Sequence, residues 1–328
     1  MGHNGAVTDV AWSAQGLVAT ASVDRSARIW AVGKAEPLLV LDGPVQNSAG
    51  SHGGTIGVGV GVGTGKGGGL GGRIGTAAMK DASGVHDPAS SSPFYTHPVT
   101  SVSFLHLGRF LALSEGPRLH ITRFTLGADG AKTDLDRLKS QNKYKTIWTY
   151  RSQAQTITDF AVPDAYVSHL VLCAGSSRGI EVVDLAGMRM AHAIPDCHQR
   201  PMGRIRLHEG SAFTSHATET YDLFATTAPD GCCRLWDLRQ AQPVRSLEMH
   251  VNRQIAVGCD FSPCLRYLAV GSEDKSAYVY DLRTGRVVER LKGHGDAVVD
   301  VAYHPLHPQL ATAGLDGVVR FYSEGSNT

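Results

Sequence analysis

The chain has 328 residues, 42% of them hydrophobic, with 31 Lys and Arg set against 30 Asp and Glu. This length suits one large all-β domain or two ordinary ones, and the near-zero net charge lacks the bulk electrostatic signature of a nucleic-acid or membrane-surface binder. No run of about 18 apolar residues occurs, so no membrane insertion by a helix is expected. The start, Met-Gly-His-Asn-Gly, has no basic and apolar signal regions, and Ala6 stands where myristoylation of Gly2 needs Ser or Thr. The six Cys are scattered without metal-ligand spacing, which reads as reduced thiols.

In chain order, the alternation in Val7-Thr8-Asp9-Val10-Ala11-Trp12 predicts a half-buried strand. Leu17 to Trp30, LVATASVDRSARIW, predicts a hairpin turning at Asp24, whose carboxylate can bond its own backbone, and Leu38 to Leu41 adds a fourth strand. Residues 45–94 follow, with the run GTIGVGVGVGTGKGGGLGGRIG. That glycine density has a high ordering cost and little apolar area to offset it, so a disordered surface insertion is expected. A phosphate loop is excluded there, because Gly67 follows Lys66 and position 60 is Val.

Strands are next expected at Val99 to Phe104, Phe110 to Ser114 and Arg118 to Phe124, then a polar insertion over 125–143. Ile157 to Val162, His169 to Ala174 and Gly179 to Val183 form another set. Leu223 to Trp236 (LFATTAPDGCCRLW), Tyr267 to Tyr280 (YLAVGSEDKSAYVY) and Gln309 to Tyr322 (QLATAGLDGVVRFY) align without gaps on Leu17 to Trp30. Inner strands precede two of these, at Ile255 to Phe261 and Val298 to Tyr303, and outer strands follow at Pro243 to Leu247 and Val287 to Leu291. Four short strands per roughly 43 residues make one propeller blade. Residues 1–328 are thus expected to form a single all-β propeller with six recognisable blades and a tail at 323–328.

These segments resemble the WD-repeat (WD40) family. In that family a His before the first strand, a Ser or Thr on the second, an Asp in the turn and a Trp on the third form one hydrogen-bonded set. The resemblance places His3, Thr20, Asp24 and Trp30 in the first blade, and His198, Thr226, Asp230 and Trp236 in the fourth. It places His250, Asp274 and Tyr280 in the fifth, with Val270 at the hydroxyl position, and His294, Thr312, Asp316 and Tyr322 in the sixth. The second and third blades lack most of the set and are expected to rest on apolar packing. Phe261 to Leu282 is also similar to the late repeats of a longer family member. Seven blades is the commonest arrangement in the family. The sixth blade here lacks an outermost strand, which suggests a truncated product, a six-bladed ring with a thin closing blade, or a partner strand completing the edge.

The expected function is a non-catalytic protein–protein interaction scaffold, a subunit of a larger cytoplasmic assembly or of a structure such as a cilium, with no cofactor and unidentified protein partners. An alternative rests on Trp236-Asp237-Leu238-Arg239 and Tyr280-Asp281-Leu282-Arg283. These resemble the paired elements of WD substrate receptors of cullin-4 ubiquitin ligases, in which the Arg contacts the adaptor, so Arg239 and Arg283 are candidate adaptor contacts. Tyr280 departs from that pattern. An enzyme is the third reading, but no Gly-x-Ser-x-Gly elbow or compact carboxylate pair supports it. Cys197, His198 and His192 lack a fourth ligand for zinc.

Overall fold

A computed structural model describes residues 2–44 except 14, 94–126 except 106–107, 142–162, 169–208, 216, 220 and 222–323 except 241. The expectations for the Gly-rich insertion, the polar insertion and the tail fall almost entirely outside these residues. At the margins the structure corrects the boundaries. Thr125 and Lys143 are paired strand residues, not loop, and Ser323 closes the last strand.

The described residues form five four-stranded antiparallel sheets and one three-stranded sheet, each in sequential strand order. The first blade contains β1 (Val7–Trp12), β2 (Leu17–Ser22), β3 (Ala27–Ala31) and β4 (Leu39–Leu41). The second contains β5 (Val99–Leu105), β6 (Phe110–Glu115), β7 (Arg118–Thr125) and β8 (Lys143–Arg151). The third contains β9 (Ile157–Ala161), β10 (Leu170–Gly175), β11 (Ile180–Asp184) and β12 (Arg189–Ile194). The fourth contains β13 (Arg204–Leu207), β14 (Leu223–Ala228), β15 (Cys232–Asp237) and β16 (Pro243–Leu247). The fifth contains β17 (Cys259–Phe261), β18 (Tyr267–Gly271), β19 (Ser276–Asp281) and β20 (Val287–Lys292). The sixth contains β21 (Val298–Tyr303), β22 (Gln309–Gly314) and β23 (Val319–Ser323). This is a six-bladed β-propeller.

The sequence pattern follows radial depth. Second strands such as β6, β10 and β14 are buried on both faces and read as near-continuous small and aliphatic runs. Outer strands such as β20 are exposed along most of their length and carry charge. Five hydrophobic clusters each join one blade to the next, from the first through to the sixth.

The inner strands are irregular in a repeated way. β1, β5 and β21 each shift register at the same point, Val7/Asp9, Val99/Ser101 and Val298/Asp300. Such a bulge re-aims a side chain. Thr8 Oγ1 thereby donates to Val99 O at 2.8 Å and Thr100 Oγ1 to Ile157 O at 3.0 Å, each bond crossing to the next blade. β17 is shorter than expected. Glu273 Oε1 accepts the Arg253, Gln254 and Ile255 amides at 2.8, 2.6 and 2.9 Å, which holds that stretch in a loop.

Both ends of the Gly-rich insertion meet at one place. Tyr95 N donates to Asp42 O at 2.8 Å, and the Tyr144 hydroxyl donates to Asp42 Oδ1 at 3.0 Å.

Candidate functional site

The repeated polar residues lie where the turn between the second and third strands meets the loop before the first. In the first blade, His3 Nδ1 is 2.9 Å from Asp24 Oδ2 and His3 Nε2 is 2.7 Å from Thr20 Oγ1, to which Trp30 Nε1 donates at 2.9 Å. In the fourth blade, His198 Nδ1 is 3.0 Å from Asp230 Oδ2, and Thr226 Oγ1 is 2.8 Å from both His198 Nε2 and Trp236 Nε1. In both blades the chain runs from β-turn carboxylate through imidazole and hydroxyl to indole, so each buried polar atom has a partner.

Burial opposes charge on Asp24, but donation from Ser26, the Asn4 amide and His3 outweighs it and holds the carboxyl well below its usual range. Asp230 is lowered in the same way, by His198 and the Gln199 and Cys232 amides. These are charge-assisted bonds that fix a turn.

The sixth blade brings three of its four residues together. His294 Nδ1 is 3.0 Å from Asp316 Oδ2 and its Nε2 is 2.8 Å from Thr312 Oγ1. Tyr322 does not join them; its hydroxyl donates to Lys292 O at 3.2 Å.

The fifth blade differs from expectation. His250 is not paired with Asp274 but lies 3.0 Å from the Tyr280 hydroxyl through Nδ1, and its Nε2 has no hydrogen-bond partner among the described residues. Asp274 Oδ2 instead accepts from Tyr278 and Arg290, each at 2.6 Å. With Val270 in place of a hydroxyl residue, the imidazole has nothing to bond on that side, and burial pushes its pKa down to about 4.

The second and third blades are not merely apolar. Buried Glu115 accepts the Thr96 and His97 amides at 2.7 and 2.8 Å and lies 3.3 Å from His120 Nε2. Desolvation opposes its charge, yet these donors hold its pKa down to about 2. Glu181 accepts the Tyr150 hydroxyl at 2.8 Å and the Gln153 amide at 2.9 Å, joining the outer strand of one blade to the third strand of the next. These residues sit at other strand positions than the family's set, so spacing alone does not reveal them.

A second polar group lines the axis. Asp9 Oδ2 accepts from Ser101 Oγ at 2.7 Å and from Val102 N at 3.0 Å. Asp159 Oδ2 accepts from Ile205 N at 3.0 Å, with Arg206 at 3.4 Å. Arg204 Nη2 reaches across the axis to Thr8 O at 3.2 Å. Burial disfavours both charges, raising the Asp159 pKa, while Asp159, Asp300 and Asp9 outweigh burial at Arg206 and keep it firmly charged.

The two candidate contact arginines occupy equivalent corners. Arg239 is folded back on its own repeat: its Nε and Nη2 donate to Asp237 Oδ1 and Oδ2 at 2.9 and 2.6 Å. Arg283 is exposed, with its amide donating to Asp281 Oδ1 at 2.8 Å and its carbonyl accepting from Arg245. Among the described residues no group of His, Cys, Asp and Glu is arranged to hold a metal ion. All six Cys are free, and burial pushes the Cys197 thiol up to about 11. No helix among the described residues is long and apolar enough to cross a membrane.

A repeat profile described as WD domain, G-beta repeat matches residues 1–31, 241–281 and 285–323. Its second match runs from β16 through β19, so the sequence repeat is offset from the blade by one strand. Among curated proteins, LEC14B homolog of Prunus armeniaca is 39% identical over 82 residues, 24% of this chain and 17% of that protein. WD repeat domain-containing protein 83 homolog of Dictyostelium discoideum is 25% identical over 127 residues, 38% of each chain. GID complex subunit 7 of Schizosaccharomyces pombe is 34% identical over 95 residues, 28% of this chain and 19% of that protein. Each similarity spans well under half of the relative's length.

Proposed function

Because this chain belongs to the WD40-repeat family, we propose that it is an interaction scaffold that works as a subunit of a multiprotein assembly in the cytoplasm. The observation that carries this reading is how the recurring reactive residue types are used. His3, His198 and His294 are each bonded on both ring nitrogens to an Asp and a Thr of their own blade. Those side chains brace loops instead of meeting in one cleft. A rigid body that displays braced loops binds partners with little ordering cost. One similar protein is by its own name a complex subunit, which supports the same class of role.

The alternative is a substrate receptor of a cullin-4 ubiquitin ligase. Its support is the placement of Arg239 and Arg283 at equivalent turns of adjacent blades, each one residue after Leu and two after a turn-capping Asp. The Asp237 pairing of Arg239 works against it, since that guanidinium must release its own carboxylate to meet an adaptor.

Native purification of the full chain, followed by mass spectrometry, tests both. A defined set of companions retained by the R239A/R283A double variant supports the scaffold. A ligase adaptor present with the parent chain and lost with the double variant moves the assignment to the receptor. A chain that runs as a free monomer at native concentration overturns both.

A further inference from the structure

Among the described residues the six blades leave one seam uncovered, and the other five define what fits it. Inner-strand position Val10 corresponds, by strand register, to Val102, Phe160, Ile205, Cys259 and Val301. Each of those five is at most 5% exposed and packs in the cluster that joins its blade to the preceding one. Val10 is 51% exposed.

The opposite face repeats the contrast. Third-strand position Val319 corresponds to Ala27, Leu119, Ile180, Cys233 and Ala277, none more than 1% exposed and each packed against the following blade. Val319 itself is 57% exposed. Phe321 beside it and Trp12 beside Val10 are 78% and 66% exposed. No hydrophobic cluster among the described residues joins the sixth blade to the first.

A polar marker points the same way. Asp9 and Asp159 share one register position, and each bonds the amide of the following blade's buried residue, Val102 or Ile205. Asp159 Oδ1 also accepts its neighbour's amide, Phe160 N, at 2.9 Å. Asp300 stands at that position in the sixth blade and repeats the local half of the pattern, with Oδ1 accepting Val301 N at 3.0 Å. Among the described residues no following blade supplies the other half.

We propose that this seam is the docking site for one further β-blade supplied by a protein partner. The occupant is an antiparallel sheet with apolar residues on both faces. Its inner strand carries a buried aliphatic residue against Val319 and Phe321, and that residue's amide bonds Asp300. Its third strand presents two small or aliphatic residues to Val10 and Trp12. Continuity with five existing seams commits the occupant to a single sheet. Stacked sheets lie about 10 Å apart, and the axis is already drawn together by the Arg204 bond to Thr8 and the Asp9 and Asp300 charges around Arg206. A second copy of the six-bladed body brings each terminal blade with its neighbour attached, whereas every existing seam is closed by one sheet on another. The proposal rests on the scaffold reading only in that the occupant is a protein.

The probe is a synthetic peptide of residues 251–292, the chain's own fifth blade, which contains no Trp. Titrated into the full chain, it is expected to bind one to one and shift Trp fluorescence to the blue as Trp12 is covered. Val10→Asp and Phe321→Asp, on opposite walls, are each expected to weaken binding at least tenfold, and Met249→Asp, away from the seam, to leave it unchanged. The same segment joined after Thr328 by a Gly-Ser linker is expected to raise the Tm and bury Trp12. Failure of both the free and the joined segment overturns the proposal, as does binding indifferent to Val10 and Phe321. Self-association that F321D abolishes puts a second copy in the seam and overturns it as well. None of these failures touches the co-purification result, which reads any surface of the scaffold.

Discussion

The Tyr280 hydroxyl and His250 Nδ1 are 3.0 Å apart, and this bond replaces in the fifth blade the His–Asp pair of the first, fourth and sixth. The imidazole is buried, has that one hydrogen-bond partner among the described residues and is held neutral, with its pKa pushed down to about 4 by desolvation. A group whose folded pKa lies below its unfolded value near 6.5 binds more protons unfolded. Stability is therefore complete above pH 6.5 and falls as pH drops towards 4, by about 3 kcal/mol in total. His208 adds to the same window, since burial and then the charge of His216 lower it to about 4. Glu115, held down to about 2, loses its contribution only below its ordinary value of 4.5. Urea unfolding from pH 7.5 to 4.5 is expected to show a decline already between 6.5 and 5, reduced in His250→Gln. An equal slope in that variant would remove His250 as a cause.

Thr226 tests the intact set. Its hydroxyl is fully buried and serves both His198 and Trp236 at 2.8 Å. Thr226→Val keeps the shape and removes the oxygen, leaving two buried ring nitrogens without that partner. The expected loss is about 1–3 kcal/mol by chemical denaturation. Val270 already occupies the equivalent site in the fifth blade, where Val270→Thr keeps the shape and returns a hydroxyl to the His250 side, so it is expected to cost far less. Equal costs at the two sites would show that the hydroxyl contributes nothing.

The turn after each Asp carries a further prediction. Arg25, Gly231, Lys275 and Gly317 follow Asp24, Asp230, Asp274 and Asp316, and all four have positive φ, between 65° and 85°. Glycine adopts that region freely, whereas a side chain is strained there. Lys275→Gly is expected to stabilise by up to roughly 1 kcal/mol, because relief of strain exceeds the added freedom of the unfolded chain. A lowered Tm would show that the Lys275 side chain makes a contact worth more than the strain.

Legibility in the sequence tracked local repetition. Four gapless hairpins, from Leu17 to Trp30 through Gln309 to Tyr322, carry the blade period because hairpins are short-range and their turn chemistry is written in consecutive residues. β13, Arg-Ile-Arg-Leu, is obscure because its charged residues face the axis and not solvent or core. β12 is hidden for the ordinary reason that outer strands need little apolar character. Glu115, Glu181 and the axial Asp residues were missed because their partners lie in another blade or on a different strand, and no fixed spacing links them. The unsatisfied seam is likewise a property of equivalent positions compared for burial, not of residue type. Val10 and Val301 read alike in the sequence and differ only in what covers them.

Gly258 and Asp300 offer a test of how closely the blades abut at the axis. Gly258 is the fifth-blade residue at the register of Asp9 and Asp300, and its amide donates to Val299 O at 2.8 Å. A Cβ there would overlap Asp300 Oδ1 and lie 2.9 Å from Cγ and 3.2 Å from Cα. Gly258→Ala must therefore push the carboxylate and its strand away, at an overpacking cost of about 1–3 kcal/mol. Shortening the opposing side chain frees the Oδ1 and Cγ space but not the backbone contact. Asp300→Ala in the Gly258→Ala chain is expected to recover part of the loss, so the two substitutions combine with a favourable coupling of at least about 0.5 kcal/mol. Simple additivity in denaturant unfolding would mean that Asp300 turns aside freely, and that the axial packing is looser than these distances require.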